Sequence, residues 1–129
     1  VGKCHNSSSW STIGTITSEY ALIDTMNYTL QESDNLFAEG FLRALGANYP
    51  NPNNLNAEQN GFYAVKDILN TIGVNTTTFV QDDGSGLSRH NLVSPRAMAD
   101  VLEKMDSIPY GHIYYRTFLP VAGESGTLS

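Results

Sequence analysis

The chain has 129 residues, of which 40% are hydrophobic, 10% aromatic and only 16% charged, with a net charge of −6. That length fits one domain or a piece of one, and the apolar share suffices for a modest core rather than a disordered chain. The acidity excludes a track of cations for nucleic acid, and the seven Lys and Arg residues stand singly rather than as a membrane-surface stripe.

Residues 1 to 15 are rich in Ser, Gly and Thr and read as loop, with a short strand around Thr12 to Ile16. The single cysteine, Cys4, excludes an internal disulfide. Cys4-His5 has no second pair at ligand spacing, and His90 and His112 are isolated, so no metal site is expected. No run reaches the length of a transmembrane span. There is no visible signal peptide and Val1 is not an initiator methionine, so the chain reads as a piece or processed product.

Ser18 is placed to cap a helix from Glu19 to about Leu30, with Leu22, Ile23, Met26 and Leu30 as its buried face. Gln31 to Asn35 is a polar connector. A second helix follows, with Ala38, Phe41, Leu42 and Leu45 on one stripe and Gly46 as its left-handed end. Tyr49 to Asn54 is a turn-rich surface loop. Phe62, Val65, Leu69 and Ile72 mark a third helix, stopped by Gly73. Thr76 to Val80 is β-branched and predicts a short strand or extended arm. Asp82 to Gly86 is a tight turn.

Ser94-Pro95 opens a further helix burying Met98, Val101, Leu102 and Met105. After Ile108-Pro109 a short helix from about His112 to Phe118 leads to Leu119-Pro120, and residues 122 to 126 are loop. There is no internal repeat. The coarse architecture is one piece, residues 1–129, made of amphipathic helices with very little strand.

Two constellations carry chemistry. Ser33-Asp34-Asn35 lies at a connector running into a strongly amphipathic helix, Leu36-Phe37-Ala38-Glu39-Gly40-Phe41-Leu42-Arg43-Ala44-Leu45-Gly46. Alone, Ser, Asp and Asn are simply good capping residues. The second runs from Asp83 through Gly84-Ser85-Gly86-Leu87-Ser88-Arg89-His90-Asn91 to Ser94-Pro95, and by composition it is a loop capping a helix. Glu39 and Arg43 read as an i, i+4 pair, Asp83 as the residue that fixes the turn, and Tyr114 and Tyr115 as packing residues.

Together the two constellations, about fifty residues apart, resemble the low-molecular-mass penicillin-binding proteins of the D-Ala-D-Ala carboxypeptidase and endopeptidase type, peptidase family S13. The tail Phe118-Leu119-Pro120-Val121-Ala122-Gly123-Glu124-Ser125-Gly126-Thr127-Leu128 is similar to the segment preceding that family's Lys-Thr-Gly motif. The resemblance covers Ser18 to Ser129. The chain departs from the family in lacking both Ser-x-x-Lys and Lys-Thr-Gly. Class A β-lactamases share the Ser-Asp-Asn string, but the Asp83 to Asn91 run argues against them. A non-catalytic helical binding module that merely carries the string is the other alternative.

The resemblance implies a mostly α fragment of the α/β penicillin-binding fold, with the sheet largely outside this piece. It implies serine acyl transfer, in which Ser33 relays a proton toward the leaving amine and Asn35 holds the substrate amide and a catalytic lysine. A hydroxyl and a carboxamide suit these tasks because each both donates and accepts without charge. Asp34 then points away and serves the helix N-terminus. Arg89, with Ser88 beside it, is implied to meet the side-chain carboxylate of a peptidoglycan stem peptide, which a guanidinium fork matches.

No cofactor is implied. Peptidoglycan stem peptides and β-lactams are the implied partners, and the periplasm or cell envelope the implied location. Sequons at Asn6, Asn27 and Asn75 carry little weight, because the family that the chain resembles is bacterial. The isolated chain is expected to be inactive. It is also expected to self-associate through apolar residues left uncovered near Phe118, Leu119 and Val121 and on the Leu36 to Leu45 stripe.

Overall fold

The computed structural model describes residues 21–129, which form five α-helices and a terminal turn of 3₁₀ helix. The expected loop and strand in residues 1–15, Cys4-His5, and the Ser18 cap with its Glu19 start lie outside the described residues. Helix α1 spans Leu22–Glu32, α2 Asn35–Asn48, α3 Ala57–Thr71, α4 Pro95–Ser107 and α5 Gly111–Phe118, and the 3₁₀ turn is Gly126–Leu128. The extended arm reduces to one antiparallel bridge between Val80 and Leu92, closed by N–H···O bonds of 2.8 and 2.9 Å.

Local chemistry sets most helix ends. Asp34 accepts from the Phe37 N–H at 2.9 Å to start α2, Asn56 accepts from Gln59 to start α3, and Ser94 accepts from Ala97 with Pro95 at the first position of α4. Gly73, at φ 89°, ends α3 as its position suggested.

Helices α2 and α3 form the tightest pair, and here Gly46 plays a role different from the expected one. It does not adopt a left-handed conformation; α2 continues through it to Asn48. A Cβ at Gly46 would collide with the Ala57 carbonyl and the Gly61 nitrogen, and one at Gly61 would lie 2.5 Å from the Leu42 carbonyl oxygen. The two glycines therefore let the helix backbones meet. Asn60, fully buried on α3, donates from Nδ2 to the Gly46 and Tyr49 carbonyls at 2.7 and 3.0 Å. It thereby satisfies acceptors that the end of α2 would otherwise leave bare.

The core is small: Leu42, Ala64, Val74, Ala97 and Phe118 are its buried apolar residues. Two expectations fail here. On α4 it is Ala97 that is buried, while Met98 and Leu102 are 49% and 47% exposed. On α1 the stripe of Leu22, Ile23, Met26 and Leu30 remains more than a third exposed, and the buried residue is Thr29. Periodicity determines which side chains share a face, and only tertiary packing decides what covers that face. The patch expected near Phe118 also changes. Phe118 is buried within the chain, packed beside Tyr114, with Leu119 half-buried and only Val121 exposed. Gln31 helps hold this end, donating from Nε2 to the Phe118 carbonyl at 3.0 Å and tying α1 to α5.

Candidate active-site region

The Ser33-Asp34-Asn35 motif forms the junction between α1 and α2, as expected of a connector. Ser33 has φ 56° and ψ 45°, the centre of the left-handed region, and the following Asp34 N–H closes back on the Thr29 carbonyl at 3.0 Å. That bond is the longer loop of a Schellman ending, a position where glycine is the usual choice. Asp34 immediately turns its carboxylate onto the first turn of α2, and Asn35 is the first helical residue. Ser33 and Asn35 are both exposed, whereas Asp34 is half-buried and engaged. The division of labour within the triplet is therefore physical: the acid is spent on the helix, and the hydroxyl and carboxamide are presented to solvent.

Beside the motif, Tyr28 of α1 and Phe37 of α2 meet edge to face with ring centroids 5.9 Å apart. With Asp24 and Thr25 they line an open, mainly apolar cavity of about 430 Å³. Ser33 and Asn35 are not among its walls.

The second constellation is a loop braced by its own carboxylates. Asp83 accepts from the Gly86 N–H at 2.7 Å, the Ser88 N–H at 2.6 Å and the Asn91 side-chain amide at 2.8 Å. The Asn91 amide, aided by the Ser88 and Gly86 N–H groups and the Ser85 hydroxyl, holds the Asp83 carboxyl below its ordinary range, against the opposing effect of desolvation. Asp83 thus fixes the turn, as read from the sequence. Asn91 completes the brace by accepting from the Asp82 N–H at 2.8 Å.

Ser88 is committed to the loop: its hydroxyl donates to Asp82 at 2.5 Å and accepts from the His90 N–H at 3.2 Å. Arg89 is exposed, and none of the ion pairs among the described residues involves it.

The two constellations are joined by a residue that the sequence pattern assigned elsewhere. Glu39 does not pair with Arg43. Its Oε1 accepts from the Gly84 and Ser85 N–H groups at 2.8 and 3.1 Å, while Arg43 reaches across to Glu58 of α3 at 2.6 Å. The i, i+4 spacing permits a pair, but a tertiary acceptor or donor of good geometry outcompetes an exposed helical ion pair of small value. Gly84 is seated directly on α2; a Cβ there would lie 2.9 Å from Leu42 Cβ and 3.0 Å from the Ala38 carbonyl oxygen. In the sequence Glu39 showed only its i, i+4 spacing to Arg43 and Asn91 only its place in the Asp83 to Asn91 run, so neither bracing role was legible there. Among the described residues no group of three His, Cys, Asp or Glu side chains could hold a metal ion, and no helix is long and apolar enough to cross a membrane.

Residues 5–129 match the model of the D-Ala-D-Ala carboxypeptidase 3 (S13) family, and the chain belongs to that family. It is 38% identical over 111 residues to the penicillin-sensitive carboxypeptidase A of Dictyostelium discoideum, covering 84% of this chain and 20% of that protein. It is 39% identical over 109 residues to the D-alanyl-D-alanine carboxypeptidase DacB of Haemophilus influenzae, covering 84% of this chain and 22% of that one.

The crystal structure of penicillin binding protein 4 from H. influenzae, complexed with a β-lactam, superimposes with a TM-score of 0.70 at 35% identity. The match covers 81% of this chain and 24% of that one, so the chain is a mostly helical piece of the penicillin-binding fold. The chain spans about a fifth of the length of the curated relatives it matches. One of these relatives comes from Dictyostelium discoideum, so similarity to this chain is not confined to bacteria and the ground for discounting the sequons does not hold.

Proposed function

We propose that the protein carrying this chain is a serine-type D-Ala-D-Ala carboxypeptidase or endopeptidase, acting on peptidoglycan stem peptides through an acyl-enzyme and acylated by β-lactams. The observation that carries this reading is the exposed Ser33 hydroxyl and Asn35 carboxamide at a left-handed turn, with Asp34 withdrawn to cap α2. In this role Ser33 passes a proton to the departing D-alanine amine, and Asn35 holds the scissile-side amide and the catalytic lysine. The Ser33 hydroxyl can both accept and donate a proton, and the Asn35 carboxamide offers an acceptor and a donor side by side, each without charge.

The attacking serine and its lysine come from a Ser-x-x-Lys motif that this sequence does not contain, so the 129 residues alone carry no turnover. Arg89 meets the stem side-chain carboxylate, and Ser88 supports it by holding the loop through Asp82. The proposed location is the periplasm or cell envelope, where such peptides are found.

The test is the full-length protein with labelled penicillin and a D-Ala-D-Ala peptide. Ser33→Ala should lower peptide turnover by about a hundredfold or more, the range of a lost proton-transfer group, and Asn35→Ala by about a hundredfold, the cost of letting the substrate shift by about 1 Å. Normal turnover in both variants would remove the assignment. Failure of the unaltered protein to label would remove the activity.

A further inference from the structure

We propose that Glu39 is a positioning residue that sets the spacing between the Ser33-Asn35 turn and the Arg89 loop, and so sets the preference for peptides bearing a free side-chain carboxylate. The inference rests on the assignment of Arg89 made above.

Glu39 lies one helical turn beyond Asn35 on α2 and therefore moves as one body with the motif. Its carboxylate accepts from two successive backbone amides, Gly84 and Ser85, which is a charge-assisted grip on the main chain of the loop. Gly84 has no Cβ, and the loop backbone uses that space to sit against Leu42, Ala38 and Glu39 itself. Beyond this contact the loop is cross-braced by Asp83 and Asn91, and its base is closed by the Val80 to Leu92 bridge.

A braced loop held at one point shifts as a unit when that point is released. Arg89 has no ion-pair partner of its own among the described residues, so its guanidinium goes where the loop goes. A purely structural anchor would weaken every substrate alike. A positioning residue weakens the one that needs Arg89.

The experiment compares kcat/KM in the full-length protein for two D-Ala-D-Ala peptides, identical except that the stem side-chain carboxylate is free in one and amidated in the other. Glu39→Ala should reduce the preference for the free carboxylate on the order of tenfold, below the hundredfold that about 1 Å of misplacement can cost. Glu39→Gln should restore most of it, since its amide oxygen accepts the same two N–H groups. In an Arg89→Ala background the Glu39→Ala change should have no further effect on the ratio.

Gly84→Ala, which keeps the carboxylate but wedges the loop off α2, should reduce the ratio as well. It decides the matter should Glu39→Ala fail to fold. An unaltered protein that cleaves both peptides equally would overturn the Arg89 assignment and this inference with it. An unaltered protein that discriminates, with the ratio kept in both Glu39→Ala and Gly84→Ala, would overturn this inference alone. So would equal losses on the two peptides, or a Glu39→Ala loss that multiplies with that of Arg89→Ala.

Discussion

Replacing Ser33 by glycine and by alanine separates the strain at this turn from its chemistry. Ser33 occupies φ 56°, ψ 45°, where a Cβ crowds the carbonyl oxygen at a cost of roughly 1–2 kcal/mol. Glycine avoids that cost but loses roughly 0.5–1 kcal/mol through its greater freedom in the unfolded chain. The net expectation is that Ser33→Gly is more stable than Ser33→Ala by roughly 0–1.5 kcal/mol, centred on about 0.75, the difference between these two opposing effects. Both lack the hydroxyl, so both should lose peptide turnover to the same extent.

A residue that costs stability where glycine would serve is expected when its side chain has a task. The assay is equilibrium denaturation of the three matched proteins, read as a shift of midpoint at constant slope, together with turnover of a D-Ala-D-Ala peptide. If Ser33→Gly proves less stable than Ser33→Ala, the turn is not strained as argued. Turnover retained in Ser33→Gly means the hydroxyl is not the relay.

Other outcomes follow from the same geometry. Gly46→Ala should destabilise the protein despite the roughly 1 kcal/mol that alanine gains in a helix, because overpacking at the α2–α3 contact costs about 1–3 kcal/mol or more; a denaturation midpoint at or above the original would contradict this. Asp83 titrates below the ordinary carboxylate range in the fold, so its contribution is fully present above the unfolded value and is lost as pH falls through the folded one. The Gly86 and Ser88 amides should then stay protected from hydrogen exchange at neutral pH and lose protection only in acid, and loss beginning near neutrality would refute the brace.

The 129-residue chain should form no covalent adduct with labelled penicillin, and stoichiometric labelling by mass spectrometry would show otherwise. Sedimentation at several concentrations should show it self-associating through the exposed α1 stripe and Leu36 rather than through Phe118; a monomer at high concentration would count against this.

The sequence by itself determined where helices form, the caps at Asp34, Asn56 and Ser94, and the residues of the motif, because these depend on interactions within a few positions of the chain. Asp34, Asn56 and Ser94 each reach a backbone N–H three residues on, and Ser94-Pro95 starts a helix wherever it stands. The resemblance carried by Ser33 to Gly46 and Asp83 to Asn91 was enough to indicate the family.

What the tertiary structure decided depends on groups far apart in sequence. Gly46 looked like a helix terminator and is instead a point of contact with Gly61, because only the α2–α3 packing brings the Ala57 carbonyl to it. Glu39 and Arg43 looked like partners, yet each found a better one across the fold, in the Gly84 and Ser85 amides and in Glu58. The burial of Phe118 and the exposure of Leu22 were likewise beyond local reading, since an apolar stripe specifies a face and the rest of the molecule specifies its cover. The link between the Ser33 turn and the Arg89 loop belongs to this second kind: chain and loop meet at Gly84 because a residue without a Cβ lets them.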